Sequence, residues 1–219
     1  MVKTAWAGQR AIRGLALGTI LVGLGGCAGL QAPPPLLTYD FGAMALDSSG
    51  ATGQSGVRQP VVLADVESTS ALDGSAIAYR LAYSDERQLR AYSRSRWTMP
   101  AAELVQQSMR EQLGRRYLIL AASEVSAVSK PVPTLYLQLE EFSQWFDTAQ
   151  TSHAVVRVRA TWRNPAPGGT LEQQTFMANV PAQTADAAGG VQALARASVG
   201  LAQDVLRWLE AVQSASDLR

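Results

Sequence analysis

The sequence predicts an α+β fold, an antiparallel β-sheet with two α-helices packed on one face, preceded by a flexible tether. Three observations predict it. Runs of two-residue alternation recur from Val61 onward, as half-buried strands require. Two segments, one after Pro100 and one after Asp186, space their apolar residues as helices do. The resulting order is strands, helix, strands, helix, which a sheet covered on one face accommodates.

The elements follow in turn. "LLTYDFG" (36–42) reads as an edge strand and "VVLADVES" (61–68) as a strand. "AIAYRLAY" sets Ile77, Tyr79, Leu81 and Tyr83 on one side. After a polar turn at Ser84–Arg87, "QLRAYSRSRW" sets Leu89, Ala91, Ser93, Ser95 and Trp97 on one face and Arg90, Tyr92, Arg94 and Arg96 on the other. The two runs predict a hairpin. Pro100 suits the start of a helix, and Ala101, Val105, Met109 and Leu113, with Leu104 beside them, form its apolar stripe. Glu103 lies in the first turn and Arg115 and Arg116 in the last, as the helix dipole favours. "YLILAASEVSAV" (117–128) returns to strand character.

"TLYLQLEEFSQWF" sets Leu135, Leu137, Leu139 and Trp145 on one face, and "AVVRVRATWRN" sets Val156, Val158, Ala160 and Trp162 on one face. If these strands pair through the Asp147–His153 turn, both apolar faces must meet one core. A one-residue slip would expose one of them. That restricts the register and places Glu140 on the outer face with Arg157 and Arg159. "TLEQQTFMANV" (170–180) adds a strand, and Asp186 to about Ser214 reads as a long helix. Its core face carries Val191, Ser198, Val205 and Val212 at every seventh position, with Leu194, Leu201 and Trp208 between them. Ala195 and Ala202 let it lie close to a sheet.

The chain has one cysteine in 219 residues, Cys27, within "GTILVGLGGCAGLQAPPP". A single thiol excludes an intramolecular disulfide and a multi-thiolate zinc site. Lys3, Arg10 and Arg13 precede an apolar run from about Leu15 to Leu24, and small residues lead to Cys27. This is the layout of a secretory signal, and the run is shorter than the roughly 20 residues needed to span a bilayer. An ordinary signal peptide with an incidental cysteine is the plainer reading. Leu24-Gly25-Gly26-Cys27 resembles a lipobox, the signature of bacterial lipoproteins. The resemblance implies cleavage between Gly26 and Cys27 and lipidation of the Cys27 thiol. Ala28 stands where an aspartate would resemble an inner-membrane retention signal, which favours the outer membrane.

Removing residues 1–26 takes three of the 19 basic side chains and none of the 18 acidic ones, leaving 193 residues at net charge −2. That length suffices for one domain with a core, and that charge gives no global attraction to nucleic acid. Residues 27–59, rich in proline, glycine and serine, read as the lipidated tether, 60–214 as the domain and 215–219 as a tail.

Signals for catalysis are missing. "GG" at 168–169 and 189–190 lacks the lysine and hydroxyl of a phosphate-binding loop, and no G-x-S-x-G occurs. His153, the only histidine, falls in a hairpin turn. Glu140 and Glu141 are strand neighbours, which point to opposite faces and so cannot share a substrate. No catalytic, metal-binding or cofactor-binding residue is expected, and the only attached group is the lipid on Cys27. Arg80, Arg87, Arg90, Arg94 and Arg96 crowd one hairpin, either as a solvated face or as a surface for anionic lipid or an acidic partner. Tyr92 is expected to stand exposed among them.

The lipobox, the tether, "IAYR…LRAYSRSRWTMPAAELVQQSMREQL", "LQLEEFSQWF" and "VQALARASVGLAQDVLRWL" together resemble the ABC-type transport auxiliary lipoproteins, of the kind found in paraquat-inducible (Pqi) systems. The resemblance spans about Pro60 to Val212, and its most specific element is Arg96-Trp97-Thr98-Met99-Pro100. It implies a non-enzymatic component of an MCE-type lipid transport system, held at the periplasmic face of the outer membrane. Its partner there is the periplasm-spanning MCE protein and, through it, a permease and an ATPase; assembly into a ring of copies is compatible with this. The alternative is a periplasmic lipid- or solute-binding lipoprotein with cargo in its own cavity.

Overall fold

The computed structural model describes residues 35–42, 58–127, 130–166, 169 and 171–217. Cys27 and Gly26 lie outside the described residues. From Leu36 onward the described residues form one compact unit.

The strands are β1 (Leu37–Tyr39), β2 (Pro60–Leu63), β3 (Glu67–Ser68), β4 (Ala76–Leu81), β5 (Asp85–Trp97), β6 (Leu118–Leu120), β7 (Thr134–Phe146), β8 (Ser152–Arg163) and β9 (Leu171–Pro181). The helices are α1 (Ala101–Gly114) and α2 (Ala187–Asp217), with a 3-10 turn at Ala122–Ala127. The class is α+β, as expected. The sheet is mixed, however, not antiparallel throughout. Hairpin partners β4/β5, β7/β8 and β8/β9 are antiparallel, whereas β2, β3 and β4 all run parallel to β7 and β1 runs parallel to β5. Connections through α1 and long loops return the chain to β7 in the same sense, and alternation cannot reveal that.

β7 organises the sheet. One edge pairs with β8 along its whole length, from Thr134↔Arg163 to Phe146↔Ser152. The other edge is shared by β2 at Thr134–Leu135, β3 at Gln138–Leu139 and β4 at Gln144–Phe146. β9 lies beyond β8, and β1 lies beyond β5. "YLILAASEVSAV" yields only the three residues of β6 before the 3-10 turn.

α1 and α2 pack on each other, and α2 lies across β7, β8 and β9. The α1 stripe of Ala101, Leu104, Val105, Met109 and Leu113 is buried against Leu135, Leu137, Leu139, Val158, Trp162, Leu194, Leu201 and Val205. Each leucine, valine and methionine among them contributes roughly 1.5–3 kcal/mol on leaving water. Asp186 starts α2, its Oδ1 accepting the Gly189 N–H at 2.8 Å. Ala193, Ala195, Ala197 and Ala202 are buried, so the helix axis sits close to the strands.

Two bulges redistribute the faces. Between Leu139 and Glu141, β7 advances two residues while β8 advances one. Before the bulge Leu135, Leu137 and Leu139 point to the helices. After it Phe142, Gln144 and Phe146 do. Trp145, expected on the leucine face, therefore turns to the helix-free face. In β5, the pairing jumps from Arg96 to Ala91 opposite Ala76 and Ala78. Ser95 and Trp97 are buried on one side of the jump, and on the other side it is Tyr92 that turns inward, against Tyr79 at 4.8 Å. The expectation of an exposed Tyr92 is overturned.

Candidate docking surface

The helix-free face of β7, β8 and β9 is built from residues that the bulge brings together. Arg157 and Arg159, alternate residues of β8, both reach Glu140; the Arg157 Nε–Glu140 Oε2 distance is 3.1 Å. The predicted placement of Glu140 holds. Because the bulge inserts a residue here, Glu141, the register partner of Arg157, shares that outer face, contrary to strict alternation. Arg80, projecting from β4, donates to Glu141 Oε2 at 2.9 Å, lies 5.5 Å from the Trp145 ring centroid, and also donates to the carbonyls of Glu86 and Arg87. Ser143 Oγ donates to Glu141 Oε1 at 2.6 Å and accepts from Trp145 Nε1 at 2.9 Å. The two carboxylates are thus occupied by guanidiniums and a hydroxyl, and the cluster is an ionic lattice with no free acid–base pair.

His153 lies in β8, next to the turn, with Nδ1 2.9 Å from Asp147 Oδ2 and its ring beside Trp145. Around this lattice the face exposes Tyr136, Leu171 and Met177. Apolar side chains interleaved with arginine suit contact with another macromolecule.

The helix-covered side carries a buried polar chain. Tyr92 O–H donates to Gln144 Oε1 at 2.8 Å, and Gln144 Nε2 donates to Ser152 Oγ at 2.7 Å. Burial, then the Asp186 charge, hold the Tyr92 hydroxyl well above the usual phenol range. Hydrogen bonds from the Gly189 N–H and Thr184 hold the Asp186 carboxyl below the usual carboxylate range. Neither reading of alternation nor helix spacing identifies this chain; the one available signal was a glutamine among the aromatic residues of "FSQWF".

A groove of about 910 Å³ runs between β3 and α1, open to solvent. Asp65, Glu67, Asp73 and Glu103 line it with one cation, Arg110. Among the described residues no group of three or more His, Cys, Asp or Glu is placed to hold a metal ion, and no helix is long and apolar enough to cross a membrane.

Residues 43–206 match the family model of the ABC-type transport auxiliary lipoprotein component. The chain belongs to this family. Two crystal structures are similar to it. Protein XCC0632 from Xanthomonas campestris is 14% identical with a TM-score of 0.64, over 75% of this chain and 90% of that one. An uncharacterized protein is likewise 14% identical with a TM-score of 0.59, over 80% of this chain and 99% of that one. At that identity the likeness extends to the fold. No curated protein matches the sequence. The family is that of a transport auxiliary component, so partners of this lipoprotein belong to an ABC-type transport system.

Proposed function

We propose that this lipoprotein is cleaved before Cys27, acylated on its thiol and held on the periplasmic face of the outer membrane, where it docks the MCE-domain protein of a lipid transport system without catalysing a reaction itself. The observation that carries the reading is the family match over residues 43–206. The lipobox-like Leu24-Gly25-Gly26-Cys27 and Ala28 support the anchor and its membrane.

Two features of the fold favour docking over cargo storage. The space between sheet and helices is filled by Trp162, Phe142, Met109 and leucines, all less than 2% exposed. The groove beside α1 is open and edged with carboxylates, which suits water better than acyl chains. The helix-free face, with Tyr136 and Met177 around the arginine–glutamate lattice, is the docking surface we favour.

The test is affinity capture of the tagged lipoprotein from native membranes in mild detergent. Co-purification of an MCE-domain protein and its permease supports the reading. Recovery of neither, with stoichiometric phospholipid on the released domain instead, overturns it in favour of cargo binding.

A further inference from the structure

We propose that the β1–β5 edge of the sheet is the membrane-facing side of the domain and rests on anionic phospholipid headgroups. The inference depends on the anchor at Cys27 proposed above. Nine peptide steps separate Cys27 from Leu36, where the compact unit begins. An extended chain covers at most about 3.3–3.6 Å per residue, so Leu36 stays within roughly 30 Å of the acylated sulfur.

The edge at the end of this leash has the chemistry of a lipid surface contact. Leu36 and Leu37 are 58% and 50% exposed. Leu37 pairs with Ser95 and Thr38 with Arg96, which brings the leucines beside the arginines of β5. From Gln88 to Trp97 the strand contains Arg90, Arg94 and Arg96 and no acidic residue, and none occurs from Cys27 to Tyr39.

Their partners distinguish these arginines from those of the helix-free face. Arg90 donates to the Gln88 side chain and Arg96 to the carbonyls of Tyr92 and Ser95, while Arg94 is exposed. Among the described residues no carboxylate pairs with any of the three. On the helix-free face, Arg80, Arg157 and Arg159 all are paired with glutamates. Positive charge on β5 is therefore available to phosphate with no carboxylate beside it, whereas on β8 Arg157 and Arg159 share Glu140. Exposed leucines with adjacent uncompensated arginines combine apolar insertion with headgroup attraction.

The arrangement also orients the rest of the molecule. β9 is five strands from β1, about 24 Å across the sheet at the usual spacing. With β1 on the lipid, β9 and its exposed Met177 project away from the membrane, toward a periplasmic partner.

The acylated cysteine leaves the mature chain without another thiol, so single-cysteine variants label at one place. Leu37→Cys, Ser93→Cys and Met177→Cys are purified as mature lipoproteins, tagged with a fluorophore and reconstituted into vesicles carrying a lipid-borne quencher. Quenching at 37 and 93 but not at 177 is expected in phosphatidylglycerol-containing vesicles. Arg90→Gln with Arg94→Gln should weaken it there and leave phosphatidylcholine vesicles unchanged. Protein that floats with vesicles while labels at 37 and 93 stay unquenched overturns the inference and leaves the anchor standing. Protein that does not float removes the anchor, and this inference with it. Shielding of these labels from a soluble quencher without vesicles assigns the edge to a second copy, which also overturns the proposal.

Discussion

Substituting Gly190 by alanine isolates the contact that seats α2 on the sheet. A Cβ there would lie 2.1 Å from Gln144 Oε1 and 2.6 Å from its Cδ. Gln144 is fully buried and tied at both ends of its amide, to Tyr92 and to Ser152. It cannot step aside without breaking those bonds, and each buried polar atom left unpaired costs about 1–3 kcal/mol. Alanine's helix preference returns about 1 kcal/mol. The expected outcome is a net loss of roughly 2–3 kcal/mol, read from the urea midpoint by circular dichroism at unchanged slope. Removing the obstacle as well, in Gly190→Ala with Gln144→Ala, should be less damaging than the two single losses added, with a coupling of at least ~1 kcal/mol. A Gly190→Ala protein as stable as the parent or more so, or strict additivity in the double variant, would refute the clash.

The remaining expectations concern charge, pH and processing. Glu141→Ala should destabilise by about 2–3 kcal/mol in the same urea assay, because Arg80 is itself mostly buried and would lose its carboxylate. Glu140→Ala, whose partners Arg157 and Arg159 are about half exposed, should cost under about 1 kcal/mol; equal losses would contradict the difference in burial. Burial raises the Tyr92 and Tyr117 hydroxyls above the ordinary tyrosine value, so their contribution is constant below about pH 10 and lost as pH rises beyond it. Tyr92→Phe should therefore flatten the alkaline decline in denaturation midpoint; an unaltered decline would contradict the assignment. Cys27→Ser should yield unlipidated precursor, detected by mass spectrometry and fractionation, and normal processing with unchanged membrane association would count against the anchor.

Much of the fold is legible along the chain. The stripe Ala101, Val105, Met109 and Leu113 fixed α1 and its buried side, since a helix repeats its face from local geometry alone. The alternation of Val156, Val158, Ala160 and Trp162 did the same for β8, and the hydrophobic match with Leu135, Leu137 and Leu139 set the register that pairs Glu140 with two arginines. Alternation carries information only while the strand is uninterrupted. At Glu140–Glu141 one extra residue, and between Ala91 and Arg96 three, reverse the parity, which turned Trp145 outward and Tyr92 inward. Nothing local distinguishes such a strand from a regular one, because the bulge forms to satisfy pairing with its neighbours.

The candidate site divides along the same line. The sequence by itself determined the lipobox-like leader, the arginine-rich hairpin and the family resemblance, all of which are properties of contiguous residues. Only the tertiary structure decided that β2, β3 and β4 line up parallel along one edge of β7, and that Arg80 meets Glu141 across 61 residues of chain. It also decided that Arg90, Arg94 and Arg96 of β5 have no carboxylate beside them among the described residues, while Arg157 and Arg159 of β8 meet Glu140. The reason is physical: a carboxylate neutralises a guanidinium by distance in space, and that distance is set by strand pairing between segments far apart in the chain.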